Sequence, residues 1–267
     1  MLGPSSLRIL AIVGSHRTQG HTAQVVGMIE AQLQSLAARS GRAFEMETIY
    51  LGREDIRMCQ GCRTCFDKGE ASCPLQDSLQ AIKARMADAD GLIVASPVYV
   101  NDASGVTKNW MDRLAYICHR PEFAGKCAYL LATVGQGPAS HALRTLKMAL
   151  GMWGCCIVGQ AGFKTGALMD ASEMQSRYRH ATKRIAQALF DAVDEQQFSK
   201  PSFLSLMTFK IQQRYWQRTT EDSIDSEYWR NRGWTEPDQE FYVCHRAGRA
   251  KVVSARIAGG LLARFVT

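Results

Sequence analysis

Four cysteines fall within fifteen residues, as Cys59-x2-Cys62-x2-Cys65-x7-Cys73. Thiolates are soft ligands that suit iron–sulfur clusters and zinc. Gaps of two residues let successive sulfurs turn toward one centre, and the longer last gap brings in a fourth ligand. Zinc sites usually space two pairs farther apart, so the compact run fits four-cysteine iron–sulfur ligation better. Gly61 and Gly69 relieve backbone crowding, and Pro74 follows the last cysteine. Zinc, and a metal-free set packing around a ligand loop or forming a redox disulfide, are the remaining readings. Cys118, Cys127, Cys155 and Cys156 lie on regular elements and are expected in the core, while Cys244 has no assigned place.

A second constellation is Gly14-Ser-His-Arg-Thr-Gln-Gly-His-Thr22, between an apolar run and a helical pattern. A helix start offers unpaired N–H groups and a partial positive charge, which suit an anion. Ser15, Thr18 and Thr22 add hydroxyls, Arg17 adds a fork for phosphate oxygens, and Gly20 allows a tight turn. Gln19 and His21 complete the loop. The Walker pattern is excluded, since five residues separate Gly14 from Gly20 and His21 follows where Lys is required. The dinucleotide fingerprint is excluded too, because His16 stands where a glycine must let backbone approach pyrophosphate. A mononucleotide with one terminal phosphate is the better ligand.

Ala95-Ser-Pro-Val-Tyr-Val-Asn-Asp-Ala-Ser-Gly105 supplies the surface for a ring. Pro97 fixes the turn, and Val98, Tyr99 and Val100 offer apolar area to a flat aromatic system. Asn101 and Ser104 are placed to hydrogen-bond its polar edge. Thr133-Val-Gly-Gln-Gly-Pro138 forms a third loop, in which Gly135 and Gly137 permit close backbone approach and Thr133 and Gln136 add polar groups. Taken together the three loops describe a flavin site, with FMN as the expected ligand.

The elements that must position these loops alternate strictly. Strands are expected at Leu7–Val13, Phe44–Leu51, Gly91–Ala95, Lys126–Ala132 and Cys155–Val158. Helices are expected at Thr22–Ala38, Gln76–Ala87, Ala103–Cys118, Ala139–Gly151 and Ala171–Phe190. Buried strands joined by crossover helices give a three-layer α/β fold around a five-stranded parallel sheet. Ligands in such sheets sit beyond the carboxyl ends of the strands, where all three loops fall. One domain is read over 1–197, with the cysteine-rich insertion at 57–75. A C-terminal extension follows over 198–267, rich in aromatics and holding Trp216, Trp229 and Trp234. With little visible regular structure to bury those rings, the extension is expected to form an oligomer interface, as a dimer or tetramer.

Composition narrows the function classes. The 267 residues carry a formal charge of +7, and the last 27 contain five Arg or Lys and no acid. That balance admits nucleic acid as a partner, but no recognition motif accompanies it, so none is expected. No run reaches eighteen apolar residues; Ile257–Val266 comes nearest, so no membrane span is expected. Met1–Ser6 does not read as a secretory leader, and nine cysteines, an odd number, favour reduced thiols and a cytoplasmic location. Gly-x-Ser-x-Gly is absent, the six histidines show no ligand spacing, and no catalytic side chain is assigned.

The order of motifs resembles the NAD(P)H-dependent FMN reductase superfamily. The resemblance rests on Gly14-Ser-x-Arg-x-x-Gly-x-Thr22, Cys59-x2-Cys62-x2-Cys65, Ala89-Asp-Gly-Leu-Ile93, Ser96-Pro-Val-Tyr99, Gly105-x-x-Lys108 and Asp112-Arg113. It covers roughly residues 7–195, and the four cysteines resemble its iron–sulfur flavoprotein branch. It implies a flavodoxin-like fold, FMN, oligomers, and electron transfer from NAD(P)H or a reduced protein carrier to a quinone or other small acceptor. A [4Fe-4S] cluster on Cys59, Cys62, Cys65 and Cys73 is implied with it. Gln19, His21 and Gln76-Asp77 depart from the residues many relatives carry there. Asp112 and Arg113 are expected in a helix-surface interaction. The alternative reading is a flavin and iron–sulfur electron carrier or redox sensor with no substrate of its own.

Overall fold

The first strand, β1 (Leu7–Val13), is buried except at Arg8 and lies inside the sheet. Such a run, apolar on both faces, suits a parallel strand covered by helices on either side. In the computed structural model, which describes residues 6–166, 168–194, 200–220 and 222–265, β1 pairs with β2 (Phe44–Tyr50) and β3 (Gly91–Tyr99), both parallel. β5 (Cys127–Val134) follows β3, and β6 (Cys156–Lys164) forms the far edge. Between β3 and β5 the chain adds a two-residue antiparallel strand, β4 (Asp102–Ala103), on the end of β3. The five parallel strands run in the order β2-β1-β3-β5-β6, with strand order reversing at β1/β3.

Helix α1 (His21–Arg39) and helix α6 (Ala171–Asp194) cover one face, where Val25, Ile29, Leu33, Ile185 and Leu189 join the core. After a four-residue helix α2 (Thr64–Asp67) in the cysteine segment, α3 (Leu79–Asp88), α4 (Gly105–Arg113) and α5 (Ser140–Met152) cover the other face. Three elements depart from expectation. β3 runs four residues past Ala95, through Pro97. Its β1 neighbour ends at the Val13–Ala95 pair, so the missing N–H of Pro97 removes no ladder bond on that side. The helix expected at Ala103–Cys118 starts later, because Ala103 turns back to pair with Val98, and it ends in a 3₁₀ turn at Ala115–Cys118. β6 runs six residues past Val158. Its glycines interrupt the apolar run, yet Gly159 is needed there, since a Cβ would meet the Tyr129 ring at 2.6 Å.

The boundary expected at 197/198 and the last residue of the Ile257–Val266 run lie outside the described residues. The extension contributes α7 (Phe203–Arg218), α8 (Ile224–Asn231) and α9 (Arg249–Leu262). Two of its three tryptophans do not wait for a partner subunit, while Trp216 is half-buried against their cluster. Trp229 (0% exposed) and Trp234 (3%) are buried in a cluster of the extension's own, with Leu206, Phe209, Phe241, Tyr242, Val252 and Ala255. Gln213 fixes the irregular stretch between α8 and α9 by donating to the carbonyls of Trp234 and Glu236 at 3.0 and 2.8 Å. No helix among the described residues is long and apolar enough to cross a membrane.

α9 lies close on α7 because Gly259 has no side chain. A Cβ there would stand 2.7 Å from the Met207 carbonyl and 2.9 Å from Lys210 Cβ, whereas nothing lies near Gly260. Gly259→Val is therefore expected to destabilise the protein by about 1–3 kcal/mol through overpacking. Gly260→Ala should stabilise slightly, by up to about 1 kcal/mol, through helix propensity. Denaturant unfolding of both variants checks the pair, and equal effects would contradict the close helix contact.

Candidate functional site

The chain leaves β1 at Gly14, where room is tight. The Gly14 amide donates to the Ala95 carbonyl at 2.8 Å, its carbonyl accepts from Ser104 Oγ at 2.6 Å, and a Cβ would run into the Thr107 hydroxyl. Arg17 N donates to Ser15 Oγ at 2.9 Å, which leaves the Ser15 proton to donate elsewhere. Gly20 caps α1 in an extended conformation with no side-chain cap, and the first turn holds no acid. The amides of that turn are thus available to an anion. Thr22 Oγ1 meets Thr133 Oγ1 at 2.6 Å, tying the loops after β1 and β5 together.

These groups surround a pocket of about 120 Å³ beyond the carboxyl ends of the strands. Ten expected residues line it: Ser15, Arg17, Gly20, His21 and Thr22; Pro97, Val98 and Tyr99; Thr133 and Gly135. Thr165 and Gly166 line it as well. Sequence alone does not mark them, because the apolar run of β6 ends at Val158. Continued to Lys164, the strand carries them to the same edge. Gln19, Gln136 and Gly137 stand on the same loops but outside the lining. The His21 ring turns aside, with Nε2 at 3.0 Å from the Met169 carbonyl.

Ser104 differs from expectation. Its hydroxyl is buried, bonding Gly14 O and accepting from Thr107 N as the cap of α4, so it does not present itself to a ring. Val100 and Asn101 form the tip of the β3–β4 hairpin, outside the pocket lining. Both have positive φ, 48° and 66°, as a two-residue hairpin turn of this hand requires. Asn tolerates that region, but β-branched Val does not, and holding it there costs about 1–3 kcal/mol. Val100 is fully exposed (101%), so no packing in the chain compensates the strain.

The four clustered cysteines come to one place. Cys59, Cys62, Cys65 and Cys73 all line a second cavity, of about 180 Å³, with Phe66, Pro74, Leu75 and Ala115. Gly61 and Arg63 take left-handed backbone, with φ 66° and 63°, turning the chain between successive thiols. Burial, and then the neighbouring Cys73, push the Cys65 thiol up, whereas the Thr64 hydroxyl and amide draw exposed Cys62 down. Among the described residues no three His, Cys, Asp or Glu side chains converge on a single metal ion. All nine cysteines are free thiols.

α4 holds this segment in place. Cys59 N donates to Asn109 Oδ1 at 3.1 Å, and Asn109 Nδ2 donates to the carbonyls of Ile56 and Arg57. Arg113 is not at the surface as expected: it is 5% exposed and pairs with Asp77, whose side chain is 1% exposed. Its fork donates to Asp77 Oδ2 at 2.5 Å and Oδ1 at 3.2 Å, to Arg57 O at 2.8 Å and to Leu75 O at 3.4 Å, with Cys73 Sγ at 4.0 Å. Asp77 also accepts from the amides of Arg57 and Leu79.

A five-stranded parallel sheet in this order, with a phosphate-sized pocket where the order reverses, defines a flavodoxin-like protein. Residues 7–167 match the family model for NADPH-dependent FMN reductase, and the chain belongs to that family, an oxidoreductase of this general FMN-dependent kind. An iron–sulfur flavoprotein of Archaeoglobus fulgidus is 30% identical over 156 residues, 58% of this chain and 67% of that protein. Another, of Methanosarcina thermophila, is 24% identical over 192 residues, 70% of this chain and 96% of its own. The crystal structure of RosB with a bound 8-demethyl-8-formylriboflavin-5'-phosphate intermediate aligns with a TM-score of 0.55. It is 17% identical, covers 71% of this chain and 79% of its own, and shows the shared fold.

Burial alone would raise the Asp77 carboxyl, but the Arg113 fork and the two amides outweigh it and hold it below the usual aspartate range. Its contribution to stability is therefore complete above about pH 4 and is lost as pH falls through the lowered native value. Asp77→Asn, which strands a buried guanidinium, is expected to cost about 3 kcal/mol at neutral pH. Denaturant unfolding should show that deficit narrowing as pH falls below about 4. A loss below about 1 kcal/mol at neutral pH, the worth of a surface pair, would contradict the role.

Proposed function

We propose that this protein binds FMN in the pocket at the β1/β3 edge and passes electrons from NAD(P)H or a reduced protein carrier to a quinone or other small acceptor. The observation that carries the reading is the convergence of Ser15, Arg17 and the uncapped start of α1 with Pro97–Tyr99 and Thr133–Gly135 around one pocket. FMN supplies hydride and single-electron exchange when bound, and an iron–sulfur cluster supplies one-electron exchange. The chain's own residues bind and orient. Arg17 and the α1 amides offset the phosphate charge, while Ser15 and Thr22 hydrogen-bond its oxygens. Pro97, Val98 and half-exposed Tyr99 offer a flat apolar flank to the ring.

Cys59, Cys62, Cys65 and Cys73 would hold a [4Fe-4S] cluster. The four thiols line one cavity of about 180 Å³, and their compact spacing supports iron–sulfur ligation over zinc. Free thiols throughout fit a reducing compartment, hence a cytoplasmic location. The exposed Leu204 on α7 and Ile257 and Leu261 on α9 support homo-oligomers.

The test of the phosphate site compares ligands that differ by the phosphate alone. Arg17→Ala should weaken FMN by about ten-fold or more, the scale of one charge-assisted contact, and leave riboflavin nearly unchanged. Equal losses for both ligands, or release of stoichiometric FAD from the purified protein, would overturn the reading.

A further inference from the structure

The extension begins beyond residues 7–167 of the family match, and none of its described residues lines the pocket at the loop after β1. It docks instead beside the cysteines. Gln212 Nε2 donates to the Cys118 carbonyl at 2.9 Å, and Trp229 Nε1 donates to the His119 carbonyl at 2.7 Å. Asp225, near the start of α8, lies 2.8 Å from His119 Nδ1 and also pairs with Arg120 Nη1. The other arm of that guanidinium points into the cysteine segment. Arg120 Nη2 donates to the Cys65 carbonyl at 2.7 Å and lies 3.4 Å from Glu70 Oε2. Both Arg120 (2% exposed) and Asp225 (6%) are buried.

The order of these contacts has a physical consequence. A buried guanidinium needs a matching charge and acceptors for its donors. Glu70 cannot meet that need alone, because Lys83, 2.9 Å away, also claims it, and Lys83 is shared in turn with Glu122 at 3.0 Å. Asp225 is the partner that fixes one arm of Arg120 and so aims the other at Cys65. Phe66, next in the chain, packs edge-on against the His119 ring at 4.9 Å, and Asp225 holds that ring as well.

We propose that Asp225 is a positioning residue for Cys65: through Arg120 and His119, the C-terminal extension holds the thiol-bearing turn at 64–72 in place beside the other cysteines of the cavity. The proposal rests on the reading that these cysteines ligate an iron–sulfur cluster, and its test separates the two. Asp225→Asn, Asp225→Glu and Arg120→Lys are made in the full-length chain. Arg120→Lys keeps the charge beside Asp225 but has no second arm for Cys65, so it serves should Asp225→Asn fail to fold.

The first readout uses metal-free protein: the rate at which a maleimide labels Cys65, followed by mass spectrometry, with exposed Cys244 as internal reference. Asp225→Asn and Arg120→Lys are expected to label Cys65 about ten-fold faster, the scale of one lost charge-assisted hydrogen bond, with Cys244 unchanged. Asp225→Glu, which keeps the carboxylate, should stay within about two-fold of wild type. The second readout is the rate of iron loss to a chelator from reconstituted protein, expected to rise in the same order. Folded Asp225→Asn or Arg120→Lys with unchanged Cys65 labelling would overturn the proposal. Wild-type protein that takes up no iron and sulfide overturns the cluster reading, while the labelling comparison still decides the clamp.

Discussion

The buried pairing of Arg113 with Asp77 is the interaction on which the arrangement of the two sites depends. A guanidinium out of water must have its charge matched and its donors used. Arg113 meets that condition with one carboxylate and with the carbonyls of Arg57 and Leu75, which bracket the cysteine segment on either side. A segment of nineteen residues with almost no apolar core of its own is thereby closed at its neck. Asp77 adds a second constraint by accepting from the amides of Arg57 and Leu79, so one carboxylate also fixes the start of α3.

The same helix anchors both candidate sites. The cap of α4, Ser104, bonds the Gly14 carbonyl at the root of the phosphate loop, and its last residue is Arg113. Nine residues of helix set these anchors about 14 Å apart. The loop after β1 and the thiol cavity are therefore mounted on one rigid element, and their spacing does not depend on the path of the surface loops. On the far side the extension supports the same segment through Arg120, so the segment is held from α4 at Cys59 and its neck, and from α8 at Cys65.

Legibility in the sequence follows how local each signal is. The phosphate loop could be read because an apolar strand, a glycine and a helical pattern follow one another directly, and ten of the residues assigned to the three loops do surround one pocket. The four cysteines were visible from spacing alone, and they share one cavity. What escaped was carried by partners distant in the chain or by irregular backbone. Arg113 looks like a surface helix residue until Asp77, 36 positions away, is brought to it. The β3–β4 hairpin hides behind Val100-Asn101, since its tight turn normally signals itself with Asn-Gly. β6 is obscured by Gly159, whose small size the Tyr129 ring demands, and Gly162, which the Ala139 side chain crowds. The core of the extension draws on Trp234, Phe241 and Tyr242, which sit on a stretch without helical or strand periodicity.

As proposed above, the thiol cavity holds a metal centre on the same helix that anchors the proposed flavin loop. Its most direct test is the low-temperature electron paramagnetic resonance spectrum of protein purified and reduced without oxygen, with iron, sulfide and flavin counted on the same sample. The account predicts a reduced-cluster signal with about four iron and four sulfide per flavin. That signal should be lost in Cys62→Ser while flavin content holds. A preparation with full flavin, no sulfide and no cluster signal would contradict it.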